Sequence, residues 1–253
     1  MPSKEWKHSH FRDGASPDYW NQLSSSEDGI RASRVIPKAS RRLAAQYATD
    51  FDDMAEFIFS ALGQNDSILD VGCGAGEMYA RLPRGFTGTY HGIDFSRGML
   101  DLFEREKPVR QHRELHCCSL DELQPTPGAY DLVMSIGVYF YVHPDDRAAF
   151  IANMAARLRP GGQLIIDFVN EDYRFAELTG NRLTIGELEG HLHAQGLEAK
   201  RVAGFFTLGH LFKRPWLLWN RVERVLRRVG LLRNKEVVRK WGYRMVVIAQ
   251  VRT

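Results

Sequence analysis

Three glycines at alternate positions, Gly72, Gly74 and Gly76, follow a short apolar stretch that contains one acid, Asp70. The stretch Ile68-Leu69-Asp70-Val71 reads as a buried strand, and the glycines read as a tight turn opening a helix. Glycine lacks a Cβ, so the backbone can reverse sharply and lie close against a ligand. The helix N-terminus then presents N–H groups with no intrahelical partner. That combination builds a nucleotide or nucleoside site. A dinucleotide turn takes Gly-x-Gly-x-x-Gly with a pyrophosphate on the helix end. Here the third glycine comes one residue early, and a carboxylate at the mouth of the turn would repel a pyrophosphate. It suits a ligand carrying an amine or a sulfonium. A second stretch, Thr89-Tyr90-His91-Gly92-Ile93-Asp94, reads as a strand closing on Asp94, 22 residues after Gly72. An acid at that distance is placed to accept hydrogen bonds from both ribose hydroxyls.

Further blocks extend the pattern. Asp94-Phe95-Ser96-Arg97-Gly98-Met99-Leu100, Cys117-Cys118-Ser119-Leu120-Asp121-Glu122-Leu123, Tyr130-Asp131-Leu132-Val133-Met134-Ser135-Ile136 and Leu158-Arg159-Pro160-Gly161-Gly162-Gln163-Leu164-Ile165-Ile166 follow in order. In these blocks the chain resembles the class I S-adenosylmethionine-dependent methyltransferases. The first looks like that family's acidic strand end with Asp-x-Ser-x-x-Met-Leu. The second falls where its third strand ends beside the adenine. The third looks like its fourth strand, and the last like its Leu-x-Pro-Gly-Gly turn into the fifth. The resemblance covers residues 64–170.

The resemblance implies S-adenosylmethionine as cofactor, leaving as S-adenosylhomocysteine, and it assigns residues. Asp70 and Gly72 lie against the methionine part, with Asp70 toward its amine. Cys73 sits within the loop, and Gly74 and Gly76 give backbone room. Asp94 grips the ribose, and Phe95 or Met99 faces the adenine. Ser119 and Leu120 meet the adenine edge, and Ser135 presents its backbone near the methionine. For Met99, Leu120 and Ser135, ordinary packing at strand and helix ends explains the residue equally well.

Methyl transfer from a sulfonium is an in-line displacement whose donor carries its own activation. The protein must align the nucleophile, exclude water, and take a proton when the acceptor is a hydroxyl. After the fourth strand comes Gly137-Val138-Tyr139-Phe140-Tyr141-Val142-His143-Pro144, at the strand ends where this architecture binds ligands. His143 is the candidate general base, since histidine titrates near neutrality; alternatively it caps or packs beside Pro144. Tyr139, Tyr141 and Tyr173 either line the acceptor pocket or fill a seam between layers. Ser135-Ile136-Gly137 stands where many amino and base methyltransferases carry Asn/Asp-Pro-Pro-Tyr/Phe/Trp. The chain also lacks a nucleic-acid-binding signature, so a small-molecule, glycan or lipid-linked acceptor is favoured over nucleic acid. No metal site is expected: His191 and His193 lie two apart on a helix and do not share a face, and the three cysteines have no ligand spacing. O-methylation is the leading reading. N- or C-methylation of a metabolite, a non-catalytic cofactor-binding protein and a nicotinamide-dependent oxidoreductase are its rivals. The glycine spacing and Asp70 argue against the last.

These residues need a frame to hold them. The 253 residues, 44% hydrophobic and 26% charged, suffice for one substantial core. Strands are predicted near 67–71, 89–94, 112–118, 130–136 and 163–169, and helices near 76–82, 96–106, 145–158 and 184–195. Such alternation gives an α/β doubly wound sheet, mostly parallel, with helices on both faces. Lys200–Phe206 and Tyr243–Val251 read as two late strands. The resemblance makes them the closing pair of a seven-stranded sheet with an antiparallel last strand. Residues 1–39 read as an arm that either packs on the main domain through Trp6, Tyr19 and Trp20 or forms a lid, and 40–253 as the domain. Leu43, Tyr47, Phe51, Met54, Phe57, Ile58 and Ala61 mark a helical face ended by Gly63. The polar N-terminus has no signal-peptide core and no apolar run spans a bilayer, so a cytoplasmic location is expected.

A basic insertion occupies 207–242. Lys213 to Lys240 holds ten Lys/Arg against two Glu, a net +8 in a chain of net +3. Its helix carries Leu218, Val222, Val225 and Val229 on one face. Three readings stay open: a core-packed helix whose arginines form a solvated face, a helix lying on an anionic membrane, and a surface for an anionic substrate.

Overall fold

The computed structural model describes residues 16–25, 51–109, 112–124, 128–172, 182–205 and 216–251. Most of the 1–39 arm, Leu43 and Tyr47 of the early helical face, Tyr173 and the start of the basic insertion lie outside the described residues. The elements in order are α1 (Pro17–Ser25), α2 over 51–59, β1 (Ser67–Val71), β2 (Thr89–Asp94), α3 (Arg97–Glu106), β3 (Arg113–Cys117), β4 (Tyr130–Ser135), α4 (Arg147–Ala155), β5 (Leu158–Val169), α5 (Ile185–His193), β6 (Leu197–Phe205), α6 (Trp216–Arg228), α7 (Lys235–Trp241) and β7 (Arg244–Val251).

The sheet has seven strands in the order β3-β2-β1-β4-β5-β7-β6. The pairings of β1 to β5 are parallel, and β7 runs antiparallel to both of its neighbours. Strand order reverses between β1 and β4, and a crevice opens there at the strands' carboxyl ends. Alternate residues of each strand face opposite layers. Ile68, Leu132, Ile165 and Val246 join one core with Phe51, Phe57 and Phe103. Leu69, Val133, Leu164 and Val247 join the other with Ile151, Phe168 and Leu188. Local chemistry fixes the helix starts. Ser96 accepts the Met99 N–H at the head of α3, and Thr184 with Glu187 closes a capping box on α5.

Two elements differ from expectation. No α-helix follows the glycine turn; the segment predicted over 76–82 makes only a 3-10 turn at Tyr79–Arg81. Gly72, Gly74 and Gly76 all have positive φ, 74°, 52° and 77°, and Pro83 follows closely, so little chain is left for a regular helix. The helix predicted over 145–158 likewise begins as a 3-10 turn, Pro144–Asp146, before α4.

Among the described residues the basic insertion forms two α-helices, and α6 does not follow the reading of a core-packed apolar face with solvated arginines. Two of its charged residues face inward: Glu223 and Arg227 are buried, as is Asp53 on α2, while Arg221 and Arg228 are exposed. Arg227 pairs with Asp53 and, at 2.8 Å, with Glu223, while Arg224 reaches Asp53 at 2.8 Å. The Arg227 guanidinium also lies 4.7 Å from the Phe205 ring centroid. Val225 and Val229, placed on the apolar face by the sequence, are exposed. The ion pairs anchor α6 to α2. Asp53→Ala, which leaves the Arg227–Glu223 pair buried without its second acid, is expected to lower unfolding free energy by about 3–5 kcal/mol in denaturant titration. A loss under about 1 kcal/mol, the range of a solvated pair, would show that the network does not hold the helix.

Candidate active site

The crevice at the carboxyl ends of β1, β2 and β4 is a cavity of about 350 Å³. The glycine turn forms its floor. The Gly72 and Cys73 N–H groups donate to the Ile93 carbonyl at 2.8 and 3.0 Å, which folds the turn onto β2. The three glycines do different work. A Cβ on Gly72 would stand 2.2 Å from the Val138 side chain, so this glycine lets the loop after β4 approach. On the Cβ side of Gly74 there is open space, and this residue lines the cavity. A Cβ on Gly76 would stand 2.5 Å from the Phe103 ring. Gly76 therefore makes room for a core side chain, and it is not part of the cavity wall.

Two acids share this floor, Asp70 buried and Asp94 half-buried. Asp70 accepts a hydrogen bond from the Tyr90 hydroxyl at 2.5 Å. Burial, reinforced by the nearby Asp94 charge and opposed by that hydrogen bond, pushes its carboxyl up to about 7. Burial also pushes the Tyr90 hydroxyl well up, so Tyr90 keeps its proton and donates. Asp94 accepts the Gly74 N–H at 2.9 Å and the Ser96 N–H at 2.8 Å. These two bonds only partly offset burial, and its carboxyl lies at about 6. Cys73 lines the cavity as a thiol, its pKa raised by burial.

Phe95, Met99, Ser119 and Leu120 line the same space as Asp70, Gly72, Cys73, Gly74 and Asp94. The Ser119 amide and hydroxyl both donate to Glu122, at 2.8 and 3.1 Å, which fixes the turn after β3. Ser135 is placed otherwise: it is fully buried, its hydroxyl donates to the Val71 carbonyl at 3.2 Å, and it ties β4 to β1 behind the wall formed by Ile136, Gly137 and Val138.

The aromatic run after β4 splits. Tyr139, Phe140 and Tyr141 form one 3-10 turn, and three residues per turn send their side chains in three directions. Phe140 and Tyr141 reach the cavity. Tyr139 does not: it is buried toward the helical layer, its hydroxyl 3.1 Å from His191 Nδ1 and its ring 5.9 Å from that of Phe150. Its expected place in the acceptor pocket is corrected to a seam between layers. His143 also lies off the cavity wall. It caps the next 3-10 turn, where Nδ1 accepts the Asp145 N–H at 3.3 Å and lies 3.5 Å from the Asp145 carboxylate. The capping alternative describes its geometry, and no histidine lines the cavity among the described residues. Among the described residues no three His, Cys, Asp or Glu side chains are grouped so as to hold a metal ion.

Trp20, Phe51 and Arg244 also line the cavity; the sequence offered Trp20 as either a packing or a lid residue and did not single out Phe51 or Arg244 for the site. Trp20 comes from α1, which docks on α3 through Asn21: its Oδ1 accepts the Ser96 hydroxyl at 2.8 Å and the Gly98 N–H at 3.0 Å. Gly98 permits this contact, since a Cβ there would stand 2.1 Å from Ser24 Oγ. Arg244 opens β7, and its guanidinium pairs with the fully buried Asp167.

Comparison with known proteins agrees with this geometry. Residues 68–162 match the family model described as a methyltransferase domain. A tRNA U34 carboxymethyltransferase of Pseudoalteromonas translucida is 33% identical over 102 residues, covering 40% of this chain and 31% of that protein. Glycine N-methyltransferase of Rattus norvegicus is 30% identical over 122 residues, covering 42% and 41%. The chain spans about a third of the length of the first of these relatives. Among solved structures, magnesium protoporphyrin IX methyltransferase of Synechocystis PCC 6803 with bound S-adenosylmethionine superposes with a TM-score of 0.63 over 93% of this chain and 95% of that one. At 14% identity this likeness is one of fold. From β1 into β5, then, the sequence matches a methyltransferase domain, and the seven-stranded sheet has the fold of the class I S-adenosylmethionine-dependent methyltransferases.

Proposed function

We propose that this chain binds S-adenosylmethionine in the cavity and methylates an oxygen of a small-molecule, glycan or lipid-linked acceptor. The observation that carries the cofactor reading is the pair of acids, Asp70 and Asp94, that line one cavity with the open Gly74 backbone. Asp70 receives the cofactor's ammonium, with Gly72 and Cys73 alongside. Asp94 retains acceptor capacity beyond its two backbone bonds and takes the ribose hydroxyls. Phe95, Met99 and Leu120 enclose the adenine with Ser119 at its edge. When bound, the cofactor supplies a methyl group already activated for in-line displacement. The chain's part is then to orient the acceptor and keep out water. Trp20 and Tyr141 meet edge to face at 5.6 Å between ring centroids. They close the acceptor side, where α1, the described part of the arm, serves as a lid. Burial pushes the Tyr141 hydroxyl well up, so it stays protonated and acts as a donor.

Incubation with labelled donor and pools of hydroxylated metabolites and glycans tests the reaction. Transfer to oxygen is expected. Transfer only to amines, carbon or nucleic acid overturns the O-methylation reading, and cofactor binding without turnover on any pool points to a binding protein.

A second observation bears on where the acceptor is met. Among the described residues no helix is long and apolar enough to cross a membrane. Yet Val225, Val229 and Leu231 are exposed on and just beyond α6, and Arg221, Arg228 and Arg233 are exposed beside them. This pairing of apolar and cationic groups complements an anionic bilayer and supports peripheral, reversible docking there. Sedimentation with anionic vesicles is expected at low salt and lost at high salt. No sedimentation at low salt overturns this reading.

The raised acids give the cofactor site a pH signature. Cofactor binding requires both carboxylates ionised, so protons are released as affinity rises through the range of about 6 to 7. Titration calorimetry with S-adenosylmethionine should show affinity rising about tenfold between about pH 6 and pH 8 and then levelling. Asp70→Asn should flatten the profile. The empty protein runs the opposite way. Its folded state holds these protons more tightly than the unfolded chain, whose carboxyls titrate near 3.8. That contribution to stability is complete below the unfolded value and is lost as pH rises through 6 to 7. A pH-independent affinity in the unaltered protein would overturn the assignment of the two acids.

A further inference from the structure

The cavity has two chemically different ends. Toward β1 and β2 it is acidic, and the reading above fills that end with the cofactor. Toward β4 and β7 the wall turns aromatic, with Phe51, Phe140, Tyr141 and Trp20, and among the described residues Arg244 is its one lysine or arginine. The antiparallel direction of β7 puts Arg244 there. As the strand's first residue it pairs with Val169 near the end of β5 and Phe205 at the end of β6, on the carboxyl edge of the parallel strands.

The guanidinium is built into place. Its Nε edge engages the Asp167 carboxylate, and Asp167 is fully buried. The other Asp167 oxygen accepts the Gly137 N–H at 2.6 Å. One carboxylate therefore fixes both the turn after β4 and the arginine. Two rings flank the guanidinium, with the Phe51 centroid at 5.3 Å and the Phe140 centroid at 5.7 Å. A lysine could give the charge but neither the planar stack nor the fork of N–H donors. A rigid, flat cation in an aromatic wall matches a flat anion: an oxyanion on the fork, with its conjugated ring against the neighbouring rings.

We propose that the acceptor site takes flat, aromatic or conjugated carboxylic acids, with the carboxylate held by Arg244 and the ring by Phe140, Tyr141 and Trp20. This rests on the cofactor occupying the acidic end of the same cavity. It narrows the small-molecule acceptor to one chemical class and makes Arg244 its specificity-determining residue, positioned by Asp167.

The test uses the full chain saturated with S-adenosylhomocysteine and two probes of equal shape, naphthoate and its neutral amide, in titration calorimetry. Naphthoate is expected to bind about tenfold or more tightly than the amide, since a charged hydrogen-bonded pair forms only with the acid. The double variant Arg244→Gln with Asp167→Asn, which avoids stranding a buried carboxylate, is expected to abolish that preference while S-adenosylhomocysteine affinity stays within about threefold, or about 0.65 kcal/mol. Equal affinity of the unaltered protein for acid and amide overturns the proposal, and this comparison holds even if the double variant does not fold. A double variant that loses S-adenosylhomocysteine and naphthoate affinity by the same factor also overturns it, since Arg244 would then serve the cofactor's own carboxylate. An unaltered protein that binds no S-adenosylhomocysteine fails at the earlier step and overturns the cofactor reading.

Discussion

Two backbone N–H groups from different segments, Gly74 in the turn after β1 and Ser96 at the head of α3, converge on the single carboxylate of Asp94. The rest of the binding edge hangs on that junction. Through Gly74 it sets the path of the turn, and through Ser96 it sets where α3 begins. Ser96 in turn caps α3 and donates to Asn21, which seats α1 over the cavity. The anion is costly to desolvate, and that cost is what raises its pKa. The fold tolerates it because the same oxygens are needed to close the edge.

Buried acids elsewhere are treated differently. Asp53 and Asp167 each meet an arginine guanidinium that is stacked near aromatic rings. Asp70 and Asp94 meet only neutral donors, a tyrosine hydroxyl and two backbone amides. The first kind serves as internal fastening, α6 to α2 in one case and β7 to the turn after β4 in the other. The second kind leaves negative charge uncompensated inside a cavity, which is how a site is readied for a cationic ligand.

Much of this was legible in the residues. The strand ends at Asp70 and Asp94, the glycine turn and the turn into β5 are local signals, because backbone conformation there is decided by residues close in sequence. Seven strands and the antiparallel β7 were expected and are present. What escaped were choices between two faces. The tyrosines at 139 and 141 are two apart, and only the 3-10 geometry sends one into the helical layer and the other into the cavity. The periodicity of α6 marks an apolar stripe. Which stripe faces inward was decided by Asp53 on a helix 171 residues away from Arg224, a contact no local pattern encodes. Arg244 escaped for the same reason: it reaches the cavity only through tertiary placement.

The position of β7 has a consequence for the order in which the molecule can be built. In the sheet it lies between β5 and β6, both earlier in the chain. The parallel strands that carry the glycine turn can pair as they emerge from the ribosome, but the slot between β5 and β6 stays empty until β7 has been made. Arg244, 170 residues beyond Gly74, arrives with it. A nascent chain thus holds the acidic half of its cavity well before the aromatic wall acquires its cation. The final insertion closes a long loop, a slow kind of step for a folding chain, and until it happens two adjacent strand edges stand open to a chaperone or to a neighbouring chain.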